Sequence, residues 1–322
     1  MWLWWLGCTS ATIDEVNPMD SSTELPSTEP LRVATWNIEG LGAPSSDQYV
    51  AARAVLQRID ADVVGLNEIQ SGEEDNLIAL ALDLGYDVVQ PRTNPFGRDH
   101  NAVLSRLPIV QSGFPSSAVL SGDPVANDVT RWPVALTIEA PWGSTVGLAV
   151  QHCKSGFDLT DQFRRTVDTT RLGQAAARLE ATHRIVMGDL NEDRSELEEE
   201  APTPAQWTFP PNGLPQDFVL GDDIEARLDN NDLPNHPFVL AEQAGFTVIT
   251  ARQRDGRSAS RDSGRLIDYV LQDGSLQVVD VEIYDSQDEQ IDGGIELSGE
   301  PLAREVSRAA ADHFPVVVDL RP

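Results

Sequence analysis

Eight polar residues stand at or beside the ends of short apolar, β-branched runs. Asn37 closes the run that starts at Leu31, and Glu68 follows the run from Asp62 to Leu66. His152 comes directly after Thr145–Gln151, while Asp189 and Asn191 follow Arg184–Met187. Asp268 lies within Leu266–Leu271, and Asp312-His313 leads into Phe314–Leu320. Singly, an Asn or Asp at a strand end is ordinarily a turn residue, and a lone His is ordinarily a satisfied structural group. Eight in the same kind of position form a set, because a strand end holds a side chain rigidly at the rim of a sheet. Glu68, with Asp268 or Asp312 and amide oxygens, offers hard oxygen ligands suited to Mg²⁺, Mn²⁺ or Ca²⁺; zinc would call for more His or Cys. His152 and His313 titrate near neutral pH and can move protons. A metal, a base and neutral amide donors are what phosphate-ester hydrolysis requires: the anion is neutralised, water is deprotonated and the leaving oxygen is stabilised.

The elements that must position these groups alternate. Leu31–Ile38 reads as a strand. Ser46–Ile59 carries Val50, Ala51, Ala54 and Val55 at helical spacing behind a Ser/Asp cap. Asn76–Leu84 reads as a helix stopped by Gly85, and a longer helix runs from Thr160 to about Ala181. Strand-like runs at Ala102–Ser105, Pro133–Glu139, Gly245–Thr250 and Leu276–Ile283 complete the set. Many consecutive strands have no helix between them, which excludes a purely parallel, doubly wound sheet. Two mixed or mainly antiparallel sheets packed face to face and flanked by helices fit the pattern.

The charge balance constrains partners. With 23 basic and 52 acidic side chains the net charge is −29, so a nonspecific basic nucleic-acid face is excluded and any nucleic-acid role must be catalytic and metal-assisted. Two cysteines, Cys8 and Cys153, build neither a disulfide framework nor a Cys-rich zinc site. Residues 1–8 end in Leu6-Gly7-Cys8 and resemble the tail of a bacterial lipoprotein signal peptide. Residues 9–30 then read as an acidic Ser/Thr/Pro tether, and 31–322 as the folded domain. Cys8 is thus expected to be lipidated, which places the chain in the cell envelope or outside the cell, as a monomer. Residues 192–235 form a strongly acidic, Pro-containing surface excursion.

Seven ordered words carry a family resemblance: Thr35-Trp36-Asn37-Ile38; Gly65-Leu66-Asn67-Glu68-Ile69-Gln70; Asn101 to Ile109; Gln151 to Gly156; Gly188-Asp189-Leu190-Asn191; Arg265 to Tyr269; and Ser307 to Val316. In this order they resemble the endonuclease/exonuclease/phosphatase superfamily, whose members include deoxyribonuclease I, abasic-site endonucleases, neutral sphingomyelinases and inositol-polyphosphate phosphatases. The resemblance implies a four-layer α/β sandwich and in-line attack of water on phosphorus without a covalent intermediate. It implies Glu68 as the principal metal ligand, with Asn37 beside it and Asp312 as a further ligand. His313 is implied as the general base oriented by Asp268. Asp189 and Asn191 are implied to position the nucleophile and hold the phosphate, His152 to assist the leaving group or bind phosphate, and Arg131 to contact substrate phosphate.

The substrate is less legible. Arg252, Arg254, Arg257, Arg261 and Arg265 fall in one loop opposed only by Asp255 and Asp262. The loop reads either as a phosphate clamp, with Arg265 nearest the site, or as a solvated loop paired to the acidic excursion. Gln70 stands where deoxyribonuclease I-like proteins place a groove-reading arginine, and Glu73, Glu74 and Asp75 follow it, which counts against simple duplex recognition. Trp207 and Phe209 are candidates for base stacking or lipid contact. The expectation is an exported nuclease acting on phosphodiester bonds. A sphingomyelinase-like or small phosphate-ester hydrolase and a noncatalytic surface-binding lipoprotein are the alternatives.

Overall fold

A computed structural model describes residues 28–91, 93–200 and 205–322. The expected signal tail, Cys8 and nearly all of the tether lie outside the described residues. The first half of the chain contains β1 (Leu31–Asn37), α1 (Asp47–Ile59), β2 (Val63–Gln70), α2 (Glu74–Leu84), β3 (Asp87–Val89), β4 (Asp99–Ser105), β5 (Ile109–Gly113) and α3 (Ser117–Ser121). There follow β6 (Val134–Glu139), β7 (Thr145–Val150), α4 (Leu159–Ala177), β8 (His183–Asp189), α5 (Arg194–Glu200), β9 (Gln206–Trp207), α6 (Asp222–Asp229), β10 (Leu233–Pro234) and α7 (Pro237–Gln243). The last elements are β11 (Thr247–Val248), β12 (Asp268–Gln272), β13 (Gln277–Ile283), α8 (Val306–Ala310) and β14 (Val316–Arg321).

Two six-stranded mixed sheets result, ordered β13-β14-β1-β2-β4-β3 and β11-β12-β8-β7-β6-β5. Each has one parallel pair at its centre, β1 with β2 and β7 with β8, joined by a helical crossover through α1 or α4. All other pairings within the two sheets are antiparallel, as the helix-free strand runs required. α1 starts where the Ser46 hydroxyl accepts from the Tyr49 N–H at 3.1 Å and stops at Asp60 in the left-handed region. α4 is capped by Asp158, whose Oδ1 accepts from the Asp161 N–H at 2.8 Å.

The sheets meet through a core that includes Val33, Val63, Val103, Leu148, Val150, Met187 and Val270. Each such side chain contributes roughly 1.5–3 kcal/mol on burial. Gly65 lets them close: a Cβ there would lie 2.9 Å from Val150 Cγ2 and 3.0 Å from Met187 Cε. Outer layers form where α1, α2 and α8 cover the first sheet and α4 and α7 cover the second. The acidic excursion is built rather than loose. Its α6 and its β9–β10 ribbon pack Trp207, Ile224, Leu228 and Leu233 with Phe163 and Val167 of α4. The buried Arg171 guanidinium binds Asp128 and Asp223 there, at 2.9 and 2.7 Å.

Candidate active site

One rim of the sandwich gathers residues from both sheets. Asn37 ends β1, and its amide donates to Glu68 Oε1 at 2.9 Å and to Asp189 Oδ2 at 3.0 Å. Glu68 is aimed there by a bulge: the β2–β4 register shifts between Leu66 and Ile69, and Glu68 takes a φ of 61°. The β8–β12 register sets Asp189 opposite Asp268. His152, buried at the end of β7, brings Nε2 to 3.5 Å from Asp189 Oδ2 and 3.7 Å from Glu68 Oε1. His313 donates from Nδ1 to Asp268 Oδ2 at 2.7 Å, which fixes the ring. Two groups of mutually close ligand atoms result, Glu68–His152–Asp189 and Asp189–Asp268–His313, sharing Asp189.

The surrounding charges set proton affinities. Burial, reinforced by the facing Asp268, raises the Asp189 carboxyl to about 7. Burial also opposes charge on His313, but Asp268, Asp189 and Asp312 outweigh it and lift the imidazole to about 9. His152 moves the other way: burial, with Arg131, His313 and Lys154 nearby, holds it well below the usual histidine range. Among the described residues neither His152 ring nitrogen makes a hydrogen bond, and Asp268 Oδ1, likewise buried, accepts none. Carboxylate oxygens converging on a free, neutral imidazole suit a divalent cation held by Glu68 and Asp189 with Asn37 and His152 beside it.

The other expected residues take different places. Asn191, at a φ of 54°, donates its N–H to Asp189 Oδ1 at 2.7 Å and its amide to the Cys153 carbonyl at 3.0 Å. Asp312 belongs to neither ligand group but borders the second: its Oδ2 accepts from Arg261 at 2.6 Å, and its Oδ1 lies 3.6 Å from His313 Nε2. Arg131 reaches the site through the His152 carbonyl at 3.4 Å and pairs with Asp99 at 2.8 Å. Arg265 pairs with Glu196 at 2.8 Å and lies over the Phe157 ring at 5.3 Å.

The arginines of the 252–265 loop have partners within the fold. Arg254 pairs with Glu282, Arg257 with Asp255 and Asp288, and Arg261 with Asp312, because nearby strands and loops supply the carboxylates. Among the described residues, Arg265 alone of these meets the excursion; Arg252 holds the loop itself, donating to Gly256 and Ser258. Trp207 packs edge-on against Phe163 with centroids 5.2 Å apart, whereas Phe209 is exposed.

Residues to which the sequence assigned no role of their own hold the site together. Asn67 donates to Asn101 Oδ1 at 2.8 Å and accepts from the Asp189 N–H at 2.9 Å, and Asn101 Oδ1 also accepts from the His152 N–H at 2.9 Å. This amide chain splices one sheet to the other. Ser260 donates to Asp268 Oδ2 at 2.7 Å and accepts from the Asp268 N–H at 3.0 Å, while its carbonyl accepts from Phe314 N at 2.7 Å. The Trp36 indole donates to the His313 carbonyl at 3.0 Å. A polar Asn inside an apolar strand was the available signal for Asn67; Ser260, within a polar loop, gave none.

Two facing mixed sheets whose shared rim joins carboxylates to buried imidazoles define a phosphoesterase-type α/β sandwich. Residues 34–290 match the Endonuclease/Exonuclease/phosphatase family model, and the chain belongs to that family. Among solved structures it resembles an endonuclease/exonuclease/phosphatase from Beutenbergia cavernae (17% identity, TM-score 0.53, covering 91% of this chain and 72% of that one). It also resembles the human Nocturnin catalytic domain with bound sulfate (16%, 0.55, 91% and 94%) and the 3′ phosphatase NExo from Neisseria bound to a product DNA hairpin (16%, 0.53, 91% and 100%). These likenesses are of fold. No curated protein sequence matches the chain.

Proposed function

We propose that the protein is a divalent-metal-dependent phosphodiesterase, and specifically an exported nuclease held at the cell envelope by lipidated Cys8. The observation that carries the chemistry is the meeting of Asn37, Glu68, His152 and Asp189 with the Asp268–His313 pair across two sheets. Glu68 and Asp189 would hold a cation such as Mg²⁺, Mn²⁺ or Ca²⁺, which would supply charge neutralisation for the ester and offset the carboxylate field around His313. The Asp268 bond at Nδ1 leaves His313 Nε2 to take a proton from water as its oxygen attacks phosphorus opposite the leaving oxygen. Asn191 and Asp189 hold the nucleophile side, and neutral His152 faces the phosphate. The Neisseria structure bound to product DNA supports a nucleic-acid substrate.

The test is cleavage of plasmid DNA with Mg²⁺ or Mn²⁺ and a chelator control. Metal-dependent nicking is expected. Failure on DNA and RNA, with turnover of sphingomyelin or a phosphomonoester, would replace the nuclease reading and keep the chemistry; inertness on all would leave a binding lipoprotein. Export and anchoring rest on residues 1–30 and are tested separately, by metabolic lipid labelling of the native chain against Cys8→Ala.

A further inference from the structure

The turns that carry His152 and Asn191 are joined rung by rung. The parallel β7–β8 ladder runs on past the strand ends: the Gln151 N–H donates to the Met187 carbonyl at 3.1 Å, and the Cys153 N–H to the Asp189 carbonyl at 2.9 Å. The Asn191 amide then donates to the Cys153 carbonyl at 3.0 Å. The next rung is a side chain from neither turn.

Arg165, in the second turn of α4, is 2% exposed. Its Nη1 donates to the Lys154 carbonyl at 2.7 Å and to the Gly156 carbonyl at 2.9 Å. Its Nε donates to Glu192 Oε2 at 2.8 Å, with Nη2 at the same distance. One planar fork therefore grips the turn just beyond His152 and the residue next to Asn191. Asp168, three positions along the helix and so on the same face, accepts from the Lys154 N–H at 2.8 Å. The peptide groups on both sides of Lys154 are thus fastened to α4. Gly156 lets the turn lie this close, since at its φ of 108° a Cβ would fall 2.0 Å from Asp161 Oδ2. A lysine in place of Arg165 keeps a charge beside Glu192 but lacks the fork that spans these acceptors.

We propose that Arg165 is a positioning residue: paired with Glu192, it sets the separation of His152 from the Asp189–Asn191 turn, and with it the shape of the space that holds the phosphate. It touches no reacting atom and acts through the main chain of Lys154 and Gly156 and through Glu192. The inference rests on the phosphoesterase reading, which places the phosphate between those two turns.

The experiment compares the wild-type chain with Arg165→Met, Arg165→Lys and Glu192→Gln. Val167→Ala serves as the stability control, because it thins the packing of α4 on the excursion and leaves both turns alone. Turnover of bis(4-nitrophenyl) phosphate with Mn²⁺ gives kcat and KM. NMR of metal-free, histidine-labelled protein follows the His152 ring resonance, assigned with His152→Gln. Arg165→Met is expected to lower kcat about 10–100-fold with KM little changed, the signature of transition-state groups held about 1 Å out of place. Arg165→Lys should recover part of the loss, and Glu192→Gln should lose less than Arg165→Met. Arg165→Lys combined with Glu192→Gln should lose less than the sum of the two, as members of one unit do. The His152 resonance should move in the same order, whereas Val167→Ala should lower the thermal midpoint and leave kcat and the resonance unchanged. If Arg165→Met does not fold, Arg165→Lys and Glu192→Gln decide the matter. An unmoved His152 resonance, an unchanged kcat, or an equal loss of kcat in Val167→Ala overturns the proposal. A shifted resonance in a protein inert on every phosphate ester upholds the hold of Arg165 on the His152 turn and rejects the phosphoesterase reading.

Discussion

A single amide, Asn37 Nδ2, donates to Glu68 on its own sheet and to Asp189 on the opposite one, at 2.9 and 3.0 Å. It keeps two carboxylates on different sheets within reach of one cation. Asn37→Ala is therefore expected to fold, to lower apparent Mn²⁺ affinity by about 10–100-fold, as loss of a ligand-orienting group does, and to lower activity with it. Metal titration of the thermal midpoint checks this, and an unchanged titration curve would remove Asn37 from the ligand framework.

Protons and cations compete for Asp189. Its raised value, about 7, means that below that pH the carboxyl is neutral and a divalent ion must displace its proton. Mn²⁺ should accordingly raise the melting temperature more at about pH 8 than at about pH 5, where ligand protonation opposes binding. Equal shifts at both would mean that the cation binds elsewhere.

His313 gives an acid–base signature opposite in sign to that of a carboxylate whose pKa is lowered by pairing. Its folded value, about 9, exceeds 6.5, so its contribution is whole below pH 6.5 and fades as pH rises through 9. From those two values the contribution is about 3 kcal/mol. In chelated protein, denaturant unfolding should show stability declining across that window, and His313→Ala should lack this part of the decline. The same variant should lose about 10²–10⁴-fold in turnover on every substrate; near-normal turnover would end its role as base.

Arg171 tests whether the excursion is integral. Its guanidinium is fully buried between Asp128 and Asp223. Arg171→Met leaves a buried carboxylate uncompensated and should cost about 3–5 kcal/mol in urea unfolding, with Asp128→Asn recovering part of the loss. Additive losses would contradict the pairing.

Much of the layered fold was legible because β-branched runs lay too close together to admit helices between them, and a helix was predicted at each of the two crossovers, α1 and α4. The excursion was not, since acids and prolines conceal the few apolar residues, such as Ile224 and Leu228, that seat α6 on α4. At the site, residue type and strand-end position marked Asn37, Glu68, Asp189 and His313 before any coordinates. What sequence could not convey was pairing. Asp312 and the arginines of the 252–265 loop resemble free functional groups until their partners are known, and those partners lie 28 to 69 positions away for Arg254, Arg261 and Arg265.

The ligands proposed for the cation are divided between the two sheets, so the rim would register how the two layers are aligned. Gly65 sits where they come nearest, with Val150 and Met187 filling the space its missing side chain leaves. A methyl group there reaches no reacting atom, yet it would press on Val150 and Met187 of the facing sheet, so that remoteness from the rim does not make the position silent.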